Sequence, residues 1–266
     1  MNRLERIKFL IKILLEEMPE YREYEKNFPN TVKSQRYFLR SLMNLRNYAP
    51  LSEDFLREQD ILLQEETREK GIVTLENLPT VAEISKNRII IWQGDITRIA
   101  TDAIVNAANS SLLGCFVPCH GCIDNAIHSA AGLQLRIACA NIRLEQGHEE
   151  YTGQAKITPA FNLPSKFVIH TVGPIIDAGR EPTKNQCDLL KNCYQSCLNL
   201  AAKKNLKSIA FCCISTGEFH FPNKKAAEIA VKIVSDWLNA GNDMTVVFNV
   251  FKDEDAEIYK NIFGII

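Results

Sequence analysis

Residues 88–266 read as a three-layer α/β/α domain with a largely parallel sheet, and residues 1–70 as a small helical extension ahead of it. Two observations predict the α/β class. Short apolar runs at 88–92, 103–106, 155–159, 167–172, 208–214 and 244–250 have strand character. Stretches with helical periodicity at 124–142, 184–204, 223–240 and 254–262 alternate with them, and strands joined through helices pair in parallel. A third observation predicts the extension. Leu4, Ile7, Ile11, Leu14 and Met18 recur at three- and four-residue spacing, with Leu10 and Leu15 widening the stripe, so residues 3–18 form an amphipathic helix in need of a partner surface.

Taken in order, Phe38, Leu42 and Leu45 mark a second helix within 32–47, which Ala49-Pro50 stops. Ser52 then caps a third helix carrying Phe55, Leu56, Leu62 and Leu63. This layer is expected to pack near the ligand cleft of the α/β domain without entering it. Its charges read as a solvated face, or else as a docking face for a partner. Residues 71–87, with Gly71 and Leu78-Pro79, have the punctuation of a connector. No internal repeat or low-complexity tract is present.

Composition excludes several classes. With 46% hydrophobic and 24% charged residues, the 266-residue chain can bury a sizeable core and is not disordered. The net charge is −1, and residues 1–70 balance 13 Lys+Arg against 13 Asp+Glu, so no polybasic face invites nucleic acid. The N-terminus lacks the pattern of a secretory signal, and no apolar stretch is long enough for a membrane span, which leaves the cytoplasm as the expected location. The nine cysteines are an odd number; Cys139, Cys193, Cys197, Cys212 and Cys213 fall in apparent strands and helices and read as reduced core thiols.

Chemistry concentrates between Gly94 and Gly132. Ligand sites of open α/β sheets lie beyond the carboxyl ends of the strands, and Asp95, Asn106–Asn109, Cys115–Asp124 and Ser215–Pro222 all follow strand candidates. They should converge on one cleft. Asp95 can accept a hydrogen bond from an exocyclic amine, or it is a turn cap. Asn106 and Asn109 suit sugar hydroxyls, and also suit turns. Asp124 can orient or deprotonate a water, or hold a hydroxyl, or cap the helix behind it. Ser215, Thr216, Gly217, Glu218 and Phe219 lead towards a helix near Asn223, where backbone N–H groups suit a diphosphate. Phe219 and Phe221 can stack on a ribose or base, or fill the core. Cys115, His120 and Cys122 offer thiolate and imidazole ligands at short loop spacing, which suits zinc, and three protein ligands leave a position open for water or substrate. Cys119 can replace Cys115, or close the site as a fourth ligand. His128 and His170 fall inside apolar patterns and read as satisfied core histidines, and His148 reads as a surface residue.

Five ordered motifs, Gly94-Asp95-Ile96-Thr97, Asn106 to Asn109, Ile123-Asp124 with Ala126-Ile127-His128, Val168 to Pro174, and Ser215-Thr216-Gly217 with Pro222, resemble the macrodomain family from about Ile89 onwards. Where many macrodomains carry consecutive glycines before the Asp, this chain has Cys115 to Cys122, which resembles the zinc-containing branch often encoded beside microbial sirtuins. His220 also stands where many members have a small residue.

The resemblance implies a mixed central sheet and removal of mono-ADP-ribose from modified proteins with zinc as cofactor. It implies Asp95 and Ile96 at the adenine, Ser215 to Phe219 and Phe221 along the diphosphate, Asn109 at the distal ribose, and Asp124 and Asn109 as catalytic residues. A lipoyl-carrier protein resembling the glycine-cleavage H protein is the implied target. Two alternatives stay open: an ADP-ribose reader with a structural zinc, and a hydrolase of free ADP-ribose derivatives.

Overall fold

The structure, a computed structural model, describes residues 1–265. The N-terminal layer holds α1 (Arg3–Glu17), α2 (Val32–Leu45) and α3 (Glu53–Lys70), with a 3-10 stretch at Pro19–Asn27 after α1. Each helix starts where a polar side chain meets a free amide. Asn2 and Glu5 form a capping box on α1, the Thr31 hydroxyl accepts from Ser34 N on α2, and Ser52 accepts from Phe55 N on α3. The stripe read from sequence is the core of this layer: Ile7, Leu10, Leu14, Phe38, Leu42, Phe55 and Leu62 are buried together. Leu133 of the α/β domain inserts into the same cluster, so the two parts share apolar surface.

The α/β domain contains β1 (Val73–Thr74), β2 (Thr80–Ile84), β3 (Asn87–Gln93), β4 (Ile99–Ala100), β5 (Ala103–Ala108), α4 (Ile123–Ala131), α5 (Leu133–Gln146), β6 (Ala155–Pro159), β7 (Phe167–Val172), α6 (Lys184–Lys203), β8 (Ser208–Phe211), α7 (Asn223–Asn239), β9 (Thr245–Val250) and α8 (Asp253–Ile262). Seven strands form one sheet in the order β2-β3-β9-β8-β5-β7-β6. The five inner strands are parallel, and β2 and β6 close the edges antiparallel, so the sheet is mixed. Near-continuous apolar runs in β5, β8 and β9 match strands covered on both faces.

Two boundaries differ from the sequence reading. Residues 71–87 are not merely a connector, because β2 pairs with β3 as an edge strand and β1 pairs with β4. Thr80–Ile84 is half exposed, as an edge strand is, and so lacks the apolar run that marked its neighbours. The helix expected over 124–142 is broken at Gly132, whose φ of +96° suits glycine. A Cβ there would lie 2.8 Å from Gln59 Nε2 of α3. Leu133 N instead donates to Gln59 Oε1 at 2.9 Å, so the break receives a polar contact from the N-terminal layer.

Candidate active site

The carboxyl ends of β3, β5, β8 and β9 open on a cavity of about 580 Å³. Asp95, Ile96, Asn109, Cys115, His120, Cys122, Asp124 and the loop from Ser215 to Phe219 all line it. Two residues assigned to substrate from sequence do not. Asn106 is fully buried beneath the cavity, and Phe221 is 1% exposed within the main core. No residue of the N-terminal layer lines the cavity.

Asp95 serves first as a cap. Its Oδ1 accepts from Thr97 N at 3.0 Å and from Thr97 Oγ1 at 2.6 Å, fixing the 3-10 turn Ile96–Arg98. The other oxygen lies 3.8 Å from Lys70 Nζ and keeps its lone pairs for a ligand donor.

The loop after β8 is held open by its own turns. His220 N donates to Gly217 O at 3.0 Å and Phe221 N to Ser215 O at 2.9 Å. Among the described residues, the amides of Gly217, Glu218 and Phe219 find no acceptor in the protein, and the Ser215 hydroxyl is buried without a partner. Free, convergent N–H groups of this kind suit phosphate oxygens. The turn is formed despite His220, which adopts φ +56°, and Ser215 adopts φ +67°. Gly173 makes room for it, since a Cβ at that position would sit 1.9 Å from Ser215 Oγ.

Asp124 lies in the first turn of α4, but the cap of that helix is Cys122, whose sulfur accepts from Asn125 N at 3.4 Å. Asp124 is 5% exposed. Its Oδ1 accepts from Asn106 Nδ2 at 2.8 Å and its Oδ2 from Asn109 Nδ2 at 3.3 Å. Burial pushes its pKa up to about 6, against the pull of the Asn106 bond and of Arg136. Asn106 itself is held by His170: its amide lies 3.2 Å from Nδ1, and Nε2 lies 3.0 Å from Thr158 Oγ1. Burial lowers His170 to about 3, so the ring is neutral, accepting at Nδ1 and donating at Nε2. Asn109 is also fully engaged, accepting from Ser111 N at 3.0 Å and donating to Gly114 O at 3.1 Å. A ribose hydroxyl at Asn109 would have to share one of these bonds.

His128 departs from expectation. It is buried, but neither ring nitrogen has a hydrogen-bond partner; Nε2 stands 3.5 Å from Asp124 Oδ1. Burial first, then the neighbouring His170 and Arg136, lowers its pKa, so the contact with Asp124 is not an ion pair.

The ligand atoms of Cys115, His120 and Cys122 lie within 4.8 Å of one another. His120 Nδ1 is buried without a partner, and its Nε2 faces Glu218 Oε1 at 3.7 Å. An orphaned imidazole nitrogen beside two thiols is the donor set zinc takes. Burial pushes the Cys122 thiol up to about 12, so a metal there must displace its proton. Cys119 stands outside the group; its sulfur lies 3.5 Å from Tyr37 O.

A macro domain family model matches residues 105–230. A protein-ADP-ribose hydrolase of Treponema medium is 54% identical over 99% of this chain and 100% of its own length. The chain belongs to the macrodomain family. A second relative, the protein-ADP-ribose hydrolase of Staphylococcus aureus strain MRSA252, is 47% identical, covering 89% of this chain and 87% of the relative. Among solved macrodomains, that of Trypanosoma brucei in complex with ADP-ribose aligns with TM-score 0.65 and 31% identity, covering 84% of this chain and 94% of that one. The Oceanobacillus iheyensis macrodomain with ADP aligns with TM-score 0.61 and 43% identity, covering 68% of this chain and 92% of that one.

The sequence reading missed one wall of the macrodomain cavity. Asn249, Phe251 and Asp255, at and after the end of β9, also line it. Their place follows from the parallel register of β3 with β9, which sets Gln93 against Val250 and brings Asn249 Nδ2 to 3.0 Å from Gly94 O. Phe251 is 75% exposed where it lines the cavity, a ring free to stack on a base.

Proposed function

We propose that this macrodomain is a zinc-dependent hydrolase that removes mono-ADP-ribose from modified proteins. The reading rests above all on one observation: a three-ligand Cys115, His120 and Cys122 group and a buried carboxylate, Asp124, line the same cavity as Asp95 and the open amides of Gly217 to Phe219. The names of the relatives and the ADP-ribose-bound neighbour point to the same substrate.

In this reading the free oxygen of Asp95 accepts from the adenine amine, Phe251 and Ile96 pack on the base, and the loop amides hold the diphosphate. The distal ribose then falls at Asn109 and Asp124, next to the ligand group. Asp124 carries the proton. Ionised at neutral pH and oriented by Asn106 and Asn109, it takes a proton from the attacking water as the bond to the protein side chain, glycosidic or ester, breaks, and returns one to the leaving group. Zinc held by Cys115, His120 and Cys122 would lower the pKa of a water towards about 7 or polarise a ribose oxygen. Three protein ligands leave the position this chemistry needs. A closed structural site would need Cys119, whose sulfur is turned to Tyr37 O.

The same reading places the protein in the cytoplasm, where its nine free cysteines would stay reduced. Among the described residues no helix is long and apolar enough to cross a membrane. A lipoyl-carrier protein is the first target to try. The deciding experiment incubates the protein, with and without zinc, with mono-ADP-ribosylated proteins of defined linkage, lipoyl carrier included, and measures released ADP-ribose. Zinc-stimulated release is expected; binding of ADP-ribose without release from any linkage would make the domain a reader.

A further inference from the structure

We propose that the N-terminal helical layer is a working part of the metal loop, with Arg40 and Asn44 of α2 as positioning residues for the ligands. This rests on the reading of Cys115, His120 and Cys122 as a zinc site. The loop cannot set its own shape. Among the described residues, its stretch from Leu113 to Cys122 contains one internal backbone hydrogen bond, His120 N to Val117 O at 3.2 Å. Cys119, between the ligands, is held at φ +52°, a conformation that costs a non-glycine residue about 1 kcal/mol or more unless its surroundings fix it.

The fixing groups come from α2. Asn44, 2% exposed, accepts from Cys119 N at 2.8 Å through Oδ1 and donates to Ser129 Oγ of α4 at 3.1 Å through Nδ2. One turn earlier, Arg40 donates to His120 O at 3.3 Å and to Asn125 Oδ1 at 2.7 Å. Asn125, in the first turn of α4, passes the hold on by donating to Val117 O at 2.9 Å. Positions 37, 40 and 44 share one helix face, and Tyr37 O takes the Cys119 thiol. A second line ties the end of α2 to the domain. The buried Arg136 guanidinium donates to Met43 O at 3.0 Å, Asn44 O at 2.9 Å and Arg46 O, while its Nε donates to Leu113 O at 2.7 Å, just before the loop. The cavity wall that carries the ligands is therefore built from residues about eighty positions apart in sequence. The adenine and diphosphate ends receive no such support from α2.

Groups that orient metal ligands from behind typically change metal affinity by about 10–100-fold when removed. The test uses the full-length protein with Asn44→Ala, Arg40→Met and Arg40→Lys. Zinc affinity is measured by competition with a chelator, ADP affinity by calorimetry, and amide hydrogen exchange in zinc-free protein. Asn44→Ala and Arg40→Met should each weaken zinc by roughly 10–100-fold and speed exchange at Cys119 and His120, with ADP affinity within about twofold. Arg40→Lys, which keeps one donor, should lose less than Arg40→Met. Unchanged zinc affinity and unchanged exchange in both would overturn the proposal, and so would parallel loss of ADP affinity, which marks general unfolding. If the wild-type protein binds no zinc, the metal reading fails on its own; exchange at Cys119 then still decides whether α2 shapes the loop.

Discussion

Replacing Asp124 by Asn tests the catalytic assignment and its energetic cost together. The carboxylate accepts from Asn106 on one oxygen and Asn109 on the other, and both partners donate through their amide nitrogens. An amide at 124 can satisfy only one of them. Loss of a general base costs about 10²–10⁴-fold in kcat. ADP affinity should stay within about twofold, because the adenine and diphosphate contacts lie on other loops. Burial also predicts a stability signature. Raising the pKa from 3.8 to about 6 in the folded state means that ionised Asp124 costs about 3 kcal/mol. Since the folded value is the higher one, this stability is fully present below pH 4 and is lost as pH rises to 6 and above. Measured by denaturant unfolding of metal-free, reduced protein, the wild type should weaken relative to Asp124→Asn by up to about 3 kcal/mol between pH 4 and pH 7. Turnover within tenfold of wild type would remove Asp124 from the chemistry, and a pH-independent stability difference would show that its burial costs nothing.

Asp95→Ala should weaken ADP binding roughly tenfold to more than a hundredfold, the worth of a charge-assisted hydrogen bond, and calorimetry showing unchanged affinity would take Asp95 out of the adenine site. Cys122→Ser, or chelation, should abolish release of ADP-ribose from modified protein while the chain stays folded and ADP affinity holds, with the unfolding midpoint lowered only by the lost metal binding; full activity in protein shown to be zinc-free would sink the metal mechanism. Arg136→Met leaves four carbonyl groups without their donor and should cost at least about 3 kcal/mol, seen as a drop of roughly 6–12 °C in the unfolding midpoint. A midpoint within 2 °C of wild type would mean that water replaces the guanidinium there.

What the sequence disclosed is what is local. Asp95, Asp124, the loop from Ser215 and the Cys115, His120 and Cys122 group each sit in a short segment whose residue types announce a turn or a ligand, and each segment follows a strand. The β9 wall was invisible because Asn249 and Phe251 become neighbours of Gly94 only through the pairing of β3 with β9. The α2 contacts were invisible for the same reason, since Asn44 and Cys119 are 75 residues apart. Phe219 and Phe221 show the limit from the other side. Two residues apart in one loop, one lines the cavity and the other is 1% exposed in the core, and no local signal separates them. Edge strand β2 escaped because half-exposed strands carry no continuous apolar run.

Several positions that break local rules lie at or near this cavity, where neighbouring segments must hold them. Leu112, Cys119, Ser215 and His220 all have positive φ, which non-glycine residues avoid. Ser215 Oγ, Asn106 Oδ1, His120 Nδ1 and both nitrogens of His128 are buried without partners. Each of these costs free energy in the folded chain, and the helical layer adds Gln35 Oε1 and Arg40 Nε of α2, likewise buried without a partner. In its backbone that layer is regular: capped helices, one apolar stripe, and ion pairs such as Arg6 with Glu58 and Arg36 with Glu66. A regular element with no chemistry of its own, bonded to the ligand loop, is what a strained loop requires to keep one geometry. Its removal should therefore loosen the ligand end, where α2 is hydrogen-bonded to the loop, more than the adenine end, where Lys70 of α3 stands 3.8 Å from Asp95.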